Sequence, residues 1–386
     1  MKRITSLEKK YVQEVLNSQF SASNTTNFNI LLEKLVCKKF KCKYVIPLAN
    51  GTAGLHVALL SFDIKKGDEV IVPSLTMSST AISVILAGGT PVFADIDPDT
   101  FTVDPKSIKN LINNKTKGII AVSVYGLMPN YNEIKKIVKK NKLFLIEDNA
   151  ECFLGKDGKN VDGSYGDYSM YSFQSSKHIT SGNGGILTTN NKKLWIKARQ
   201  IGNLGYPINT KKLFKRENIQ DPNFSRHILL GLNYRLPELC AAVAFAQMQR
   251  IDELVNIRID SAKLFIEVLK KYDFVRIQKV PKKFKHTYWS CAFILDINSA
   301  NDWYNFKKLF NKNGGDFFYS AWKPTYMEPF FSNYKKIGNC PVAEYSQKRL
   351  IQLKTNYWNR LRLKTQVQIL DKTLKQFSKN YVSKNI

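Results

Sequence analysis

From Cys42 to about Asn190 short apolar runs alternate with amphipathic segments, and this alternation limits the possible folds more than any other feature of the chain. "KYVIPLA", "DEVIVP", "PVFADI", "GIIAVSVYG", "LFLIED" and "GGILTTN" have the length of strands and are rich in β-branched residues. Between and after them, "TAGLHVALLSF", "TMSSTAISVILAG" ending at Gly88-Gly89, "PKSIKNLI", "YNEIKKIVKKN" and "NKKLWIKARQIG" return their apolar residues at helical spacing. Strands that are apolar throughout are buried on both faces, which happens when helices cover both sides of a parallel sheet. The pattern predicts an α/β fold with a mainly parallel sheet sandwiched by helices.

At 386 residues the chain is long enough for two or three domains. A polar stretch from Gly205 to Ser225 reads as a long loop. Apolar residues at helical spacing from Pro237 to about Tyr272 then carry the chain out of the first domain. Strand-like "YWSCAFILDI", helix-like "NDWYNFKKLFNKNG" and a last helix near "KTQVQILDKTLKQF" make a smaller C-terminal α+β domain. The expected division is residues 1–255, with an N-terminal helical segment, and residues 256–386.

No apolar run reaches the roughly 20 residues of a membrane helix, and "MKRITSLEKKYVQEVL" lacks the apolar core of a signal peptide, so the expected location is the cytoplasm. The six cysteines are scattered without zinc-site spacing and read as reduced thiols. A formal charge of +28 attracts phosphates of any kind, but the lysines are spread along the chain, often in pairs, as on solvated faces. That distribution argues against a dedicated nucleic-acid surface.

Three separate places carry chemistry. Lys177, in "SFQSSKHITSGNGGI", sits among small residues just before a turn, where a lysine held against a ligand loses hydration and becomes a nucleophilic amine. Asp148 ends the strand-like "LFLIED", and open parallel sheets place ligands at the carboxyl ends of their strands. "NGTAG", Asn50 to Gly54, lies between a strand and a helix whose first N–H groups suit an anion. Singly, these read as a surface lysine, a turn aspartate and an ordinary helix start. Together they describe a pyridoxal-phosphate site, with a lysine for the aldehyde, a carboxylate for the pyridine nitrogen and a helix start for the phosphate.

The motifs "NGTAGLHVALL", "GDEVIVPSLT", "PVFADIDPDTFTVDP", "VYGLMPNYNEI", "IEDNAE", "SFQSSKHITSGNGGI" and "LGLNYRLPELCAAVAFAQMQRIDEL" span nearly the whole chain in order. The sequence resembles the pyridoxal-phosphate sugar aminotransferases of the DegT/StrS group, fold-type I enzymes. The resemblance implies that Lys177 is the Schiff-base lysine and proton shuttle and that Asp148 partners the pyridine nitrogen. It implies that Thr52, Ala53 and Ser172 bind the phosphate, and that Asn233 reaches the phosphate in a neighbouring subunit, hence a homodimer with shared sites. It further implies transfer of an amino group from glutamate or glutamine to a keto-sugar, most often nucleotide-linked.

Three positions depart from the family pattern. Glu151 replaces a glutamine that bonds the cofactor's phenolic oxygen, so it is either neutral with cofactor bound or turned away from the ring. Met77 replaces a stacking aromatic residue, and Asn183 an acidic residue. His178 follows the lysine and reads as structural, because neighbouring side chains in extended backbone point opposite ways. His286, Tyr288, Tyr319 and Trp322 read equally as substrate contacts or aromatic packing, and Arg235 as a contact for an acidic donor or a salt bridge. The alternatives are a non-nucleotide acceptor, such as a keto-cyclitol, keto-acid sugar or small sugar phosphate, and a non-catalytic regulatory or nucleic-acid-binding protein.

Overall fold

The computed structural model describes residues 2–20, 27–208, 220–297, 299–334 and 340–379. Its strands, numbered along the chain, are β1 (Tyr44–Leu48), β2 (Glu69–Pro73), β3 (Thr90–Ala94), β4 (Thr116–Val122) and β5 (Phe144–Asp148), then a small hairpin of β6 (Lys156–Asp157) and β7 (Asn160–Val161). There follow β8 (Tyr168–Ser172), β9 (Gly185–Thr189), β10 (Val275–Ile277), β11 (Phe284–Lys285), β12 (Ser290–Leu295), β13 (Tyr319–Ser320) and β14 (Leu350–Lys354).

Seven of these form the central sheet in the order β1-β9-β8-β5-β4-β2-β3. β3, β2, β4, β5 and β8 run parallel, while β9 runs against both β8 and β1. Every residue of β5, β8 and β9 is buried, because helices cover both faces of the sheet. The register sets Asp148 beside Met170, Ser172 beside Gly185 and Leu48 beside Gly185, so the ends of β1, β5 and β8 meet along one edge.

The expected strand "GIIAVSVYG" is shorter than the sequence suggests. It stops at Val122, and Val124–Gly126 forms a 3-10 turn with Tyr125 at φ 60° and Gly126 at φ 105°. The reason is contact with the C-terminal part of the chain: a Cβ on Gly126 would lie 2.6 Å from the Tyr288 nitrogen and 2.9 Å from that of Trp289. The expected run from Pro237 to Tyr272 is two helices, Glu238–Gln249 and Ile251–Leu269, broken at Arg250. The Arg250 guanidinium is bound by Glu8, Glu253 and the carbonyls of Lys2 and Arg3. Of the expected loop from Gly205 to Ser225, residues 209–219 lie outside the described residues.

The helix Ile251–Leu269 belongs to two cores. Ile251, Leu254 and Val255 pack with the N-terminal helices Ser6–Asn17 and Phe28–Phe40, whereas Ala262, Phe265, Val268 and Leu269 pack under the antiparallel sheet β10-β12-β14-β13. The division expected between residues 255 and 256 therefore falls inside one helix. None of the described helices is long and apolar enough to cross a membrane.

Gly126→Ala tests the close approach of the 3-10 turn to Tyr288. A side chain at positive φ with no room for its Cβ should cost about 2–4 kcal/mol, read as a lowered urea midpoint in equilibrium unfolding.

Candidate active site

A cavity of about 710 Å³ opens where the carboxyl ends of the strands meet. Its floor is the start of the helix Gly51–Ser61, capped by Asn50, whose side-chain oxygen accepts the Ala53 N–H at 2.8 Å. The helix sits directly on β8: a Cβ on Gly51 would lie 2.9 Å from the Met170 sulfur and 3.2 Å from the Ser172 Cβ. Gly51 and Thr52 line the cavity with the Ser172 side chain across from them. First-turn N–H groups beside a hydroxyl, at the positive end of a helix dipole, form a cradle for a phosphate.

Asp148, at the end of β5, is buried in the same cavity. One oxygen accepts the Ala150 N–H at 3.1 Å and the other the Thr80 hydroxyl at 2.9 Å, so the carboxyl group is held in one orientation. Burial raises its pKa to about 6, against the opposing effect of those two hydrogen bonds and of the Lys177 charge.

The Lys177 ammonium lies 3.2 Å from one oxygen of Glu151 and 4.6 Å from the centre of the Trp289 ring. The second Glu151 oxygen accepts the Tyr125 N–H at 2.9 Å. The positive φ of Tyr125 thus turns its amide toward this carboxylate. Both contacts of Glu151 are with donors, so without cofactor it is the counter-ion of the lysine.

The lysine's backbone is held as firmly as its side chain. Arg258, on the helix shared by the two cores, donates to the carbonyls of Ser176 at 2.7 Å, Lys177 at 3.0 Å and Trp289 at 2.8 Å. Arg3 donates to the Lys177 carbonyl at 2.9 Å, and the Trp289 ring N–H to that of Ser176 at 3.0 Å. His178 turns the other way, packs on Phe153 and donates from Nε2 to the Thr287 carbonyl at 2.9 Å. Burial and the nearby Arg258 hold its pKa well below the usual histidine value, so it is neutral.

Of the expected site residues, Thr52, Ala53, Met77, Asp148, Glu151, Ser172 and Lys177 line this one cavity, as does Asn183. The Ala53 N–H is already taken by Asn50, which leaves the N–H groups of Gly51 and Thr52 as the free phosphate donors. Asn233 does not line the cavity. It is exposed and accepts a hydrogen bond from Arg235 at 3.0 Å. Tyr319 and Trp322 line the cavity, whereas His286 and Tyr288 do not. These two stack on each other at 3.7 Å, and His286 bonds Gln278 at 2.9 Å. The segment instead delivers Trp289, because Tyr288 adopts φ 48° and the regular alternation of side chains is lost there. Thr80, which orients Asp148, carries no sequence signal beyond a hydroxyl early in a helix.

A sequence model of the DegT/DnrJ/EryC1/StrS aminotransferase family matches residues 2–373. The chain belongs to this family. It is a pyridoxal-phosphate-dependent transaminase, and the cradle, the fixed carboxylate and the lysine of the cavity fit that cofactor. It is similar to the GDP-perosamine synthase of Escherichia coli O157:H7, 32% identical over 291 residues, 75% of this chain and 76% of the relative. The GDP-perosamine synthase of Caulobacter vibrioides is 36% identical over 251 residues, 65% of this chain and 64% of that protein. Among solved structures, the aminotransferase from Psychrobacter cryohalolentis superposes with a TM-score of 0.88 at 26% identity, covering 97% of this chain and 98% of the other.

The raised pKa of Asp148 makes a signed prediction for the cofactor-free protein. Between the ordinary carboxyl value of 3.8 and about 6 the folded state holds the proton more tightly than the unfolded one, so this group's contribution to stability falls as pH rises through that window. Asp148→Asn should therefore be more stable than the parent at pH 8, by at most about 3 kcal/mol, and equal to it near pH 3.5 by chemical denaturation.

Proposed function

We propose that this aminotransferase moves an amino group from glutamate or glutamine to a nucleotide-linked keto-sugar in amino-sugar or surface-polysaccharide biosynthesis. The observation that carries this reading is the convergence of Lys177, Asp148 and the capped helix start on one cavity, in a chain whose relatives include GDP-perosamine synthases.

Lys177 would hold the aldehyde carbon of the cofactor, Asp148 the pyridine nitrogen, and Gly51, Thr52 and Ser172 the phosphate. Bound pyridoxal phosphate supplies the electron sink that lets a C–H bond beside nitrogen be broken and remade. The protein's own part is to move the proton. As a free amine Lys177 would take the proton from the substrate carbon as general base. Glu151 sits within hydrogen-bonding reach, where it stabilises the ammonium that results. Asp148 would oppose loss of a proton from the cofactor's ring nitrogen by its negative charge, in a site where burial strengthens that effect. Trp289, Trp322 and Tyr319 wall the cavity and limit access of water.

We also read the protein as a homodimer whose sites are shared. Asn233 is exposed on a segment with Ile228 and Leu230, which are 57% and 92% exposed, an apolar edge that a second copy would cover.

Two experiments test these readings. Purified enzyme should show a visible absorbance band from lysine-bound cofactor that Lys177→Ala lacks, and should form an amino-sugar in a panel of nucleotide keto-sugars headed by GDP-linked ones. Turnover only with non-nucleotide ketones would overturn the proposed acceptor. Mixing the inactive variants Lys177→Ala and Asn233→Ala under subunit exchange should restore about one quarter of parental activity, because half of the mixed dimers' sites are intact. No recovery would mean that each site is complete within one chain.

A further inference from the structure

The described residues of the main cavity leave one need of the proposed reaction unmet. Among the described residues that line it, the one cation is Lys177, which pairs with Glu151 and shares the cavity with Asp148, so an amino acid presenting its nitrogen there meets no uncompensated positive charge from these residues of its own chain for its carboxylate. A smaller recess of about 150 Å³ adjoins the cavity and shares Ser176, Trp289 and Tyr319 with it as common wall. The charged residues lining this recess are Arg258 and Lys354, with Asn356 beside them and no carboxylate among them.

Arg258 already spends its donors on protein carbonyls and on the Thr355 hydroxyl, so it forms the back wall. Lys354 is different. Its ammonium lies 2.8 Å from one oxygen of Asp316, while the other oxygen is held by Arg362 at 2.7 Å and the Tyr357 hydroxyl also binds this carboxylate. Two cations share one carboxylate, which leaves positive charge uncancelled, and an ammonium with three donors has capacity beyond this one bond. The Lys354 side chain is 32% exposed, so an incoming anion would meet it only partly screened by water. The volume suits a carboxylate with a few carbons and is too small for a nucleotide.

We propose that this recess is a carboxylate subsite for the amino donor, with Lys354 as its charged contact and Asn356 as a neutral one. The proposal rests on the aminotransferase reading above. A carboxylate borne by an acidic sugar acceptor would present the same chemistry, and separate titration of donor and acceptor distinguishes the two.

The test uses the holoenzyme. Titration with L-glutamate and L-glutamine, without acceptor, is followed by loss of the lysine-bound cofactor absorbance, and glutarate binding is measured by calorimetry. Lys354→Met should raise the half-saturating donor concentration and the glutarate Kd by about tenfold or more, the size expected for losing one charge-assisted contact, with the acceptor KM unchanged. Lys354→Arg should remain within about threefold of the parent. Asp316→Asn breaks the same ion pair but keeps the lysine, so it should not weaken either ligand. The subsite is wrong if Lys354→Met leaves both values unchanged, if Asp316→Asn raises them as much, or if the acceptor KM alone rises. If the parent enzyme shows no absorbance change with either donor, the aminotransferase reading falls too; a normal parental response with an unchanged Lys354→Met titration overturns the subsite alone.

Discussion

One buried guanidinium holds the working parts of this enzyme together. Arg258 extends from the helix common to both cores, with its charge bound to three carbonyls and a hydroxyl and with no carboxylate within ion-pair distance among the described residues. Its burial, with Arg3 nearby, lowers its pKa to about 9. The acceptors come from the loop of Lys177, from Trp289 at the edge of the small sheet, and from Thr355 after β14. A neutral side chain there would leave the carbonyls of Ser176 and Lys177 with one donor each, from Trp289 and Arg3, and would remove the single group that ties the lysine's loop to both Trp289 and Thr355.

That arrangement explains what the sequence does and does not disclose. The sheet, Lys177, Asp148 and the helix start at Asn50 are legible because each is set by a local rule: apolar runs, a strand end, a capped helix. Their meeting follows from register, since β1, β5 and β8 end on the edge where β9 begins. Residues that act across long sequence separations are not legible. Thr80 is 68 residues from the carboxylate it orients, and Arg258 is 81 from the carbonyl of Lys177. No local pattern marks either one. Trp289 was hidden for another reason, because a residue at positive φ breaks the alternation by which inward-facing side chains are assigned.

Glu151 is the informative departure from the family pattern. A glutamine can donate to a phenolate oxygen, whereas a carboxylate can only accept, so the exchange would disable the contact if nothing else changed. In this structure both oxygens are matched to donors, the amide of Tyr125 and the amine of Lys177. The substitution therefore moves the residue's partnership from the cofactor's oxygen toward the lysine.

The charge of the whole molecule and that of the site have opposite tendencies, and the difference assigns them different work. The chain carries +28, yet the cavity holds more acid than base, so the surface charge does not neutralise substrate at the reacting carbon. A diffuse positive surface acts at a distance by raising the local concentration of anions, an effect that salt screens within about 8–10 Å. Inside the cavity, where groups lie a few ångströms apart between protein walls, one carboxylate or one amine outweighs many exposed lysines. Selection among anions must then lie in groups placed between these two regions, close enough to touch a bound ligand and still incompletely neutralised. Lys354 in the adjoining recess, sharing one carboxylate with Arg362, meets both conditions.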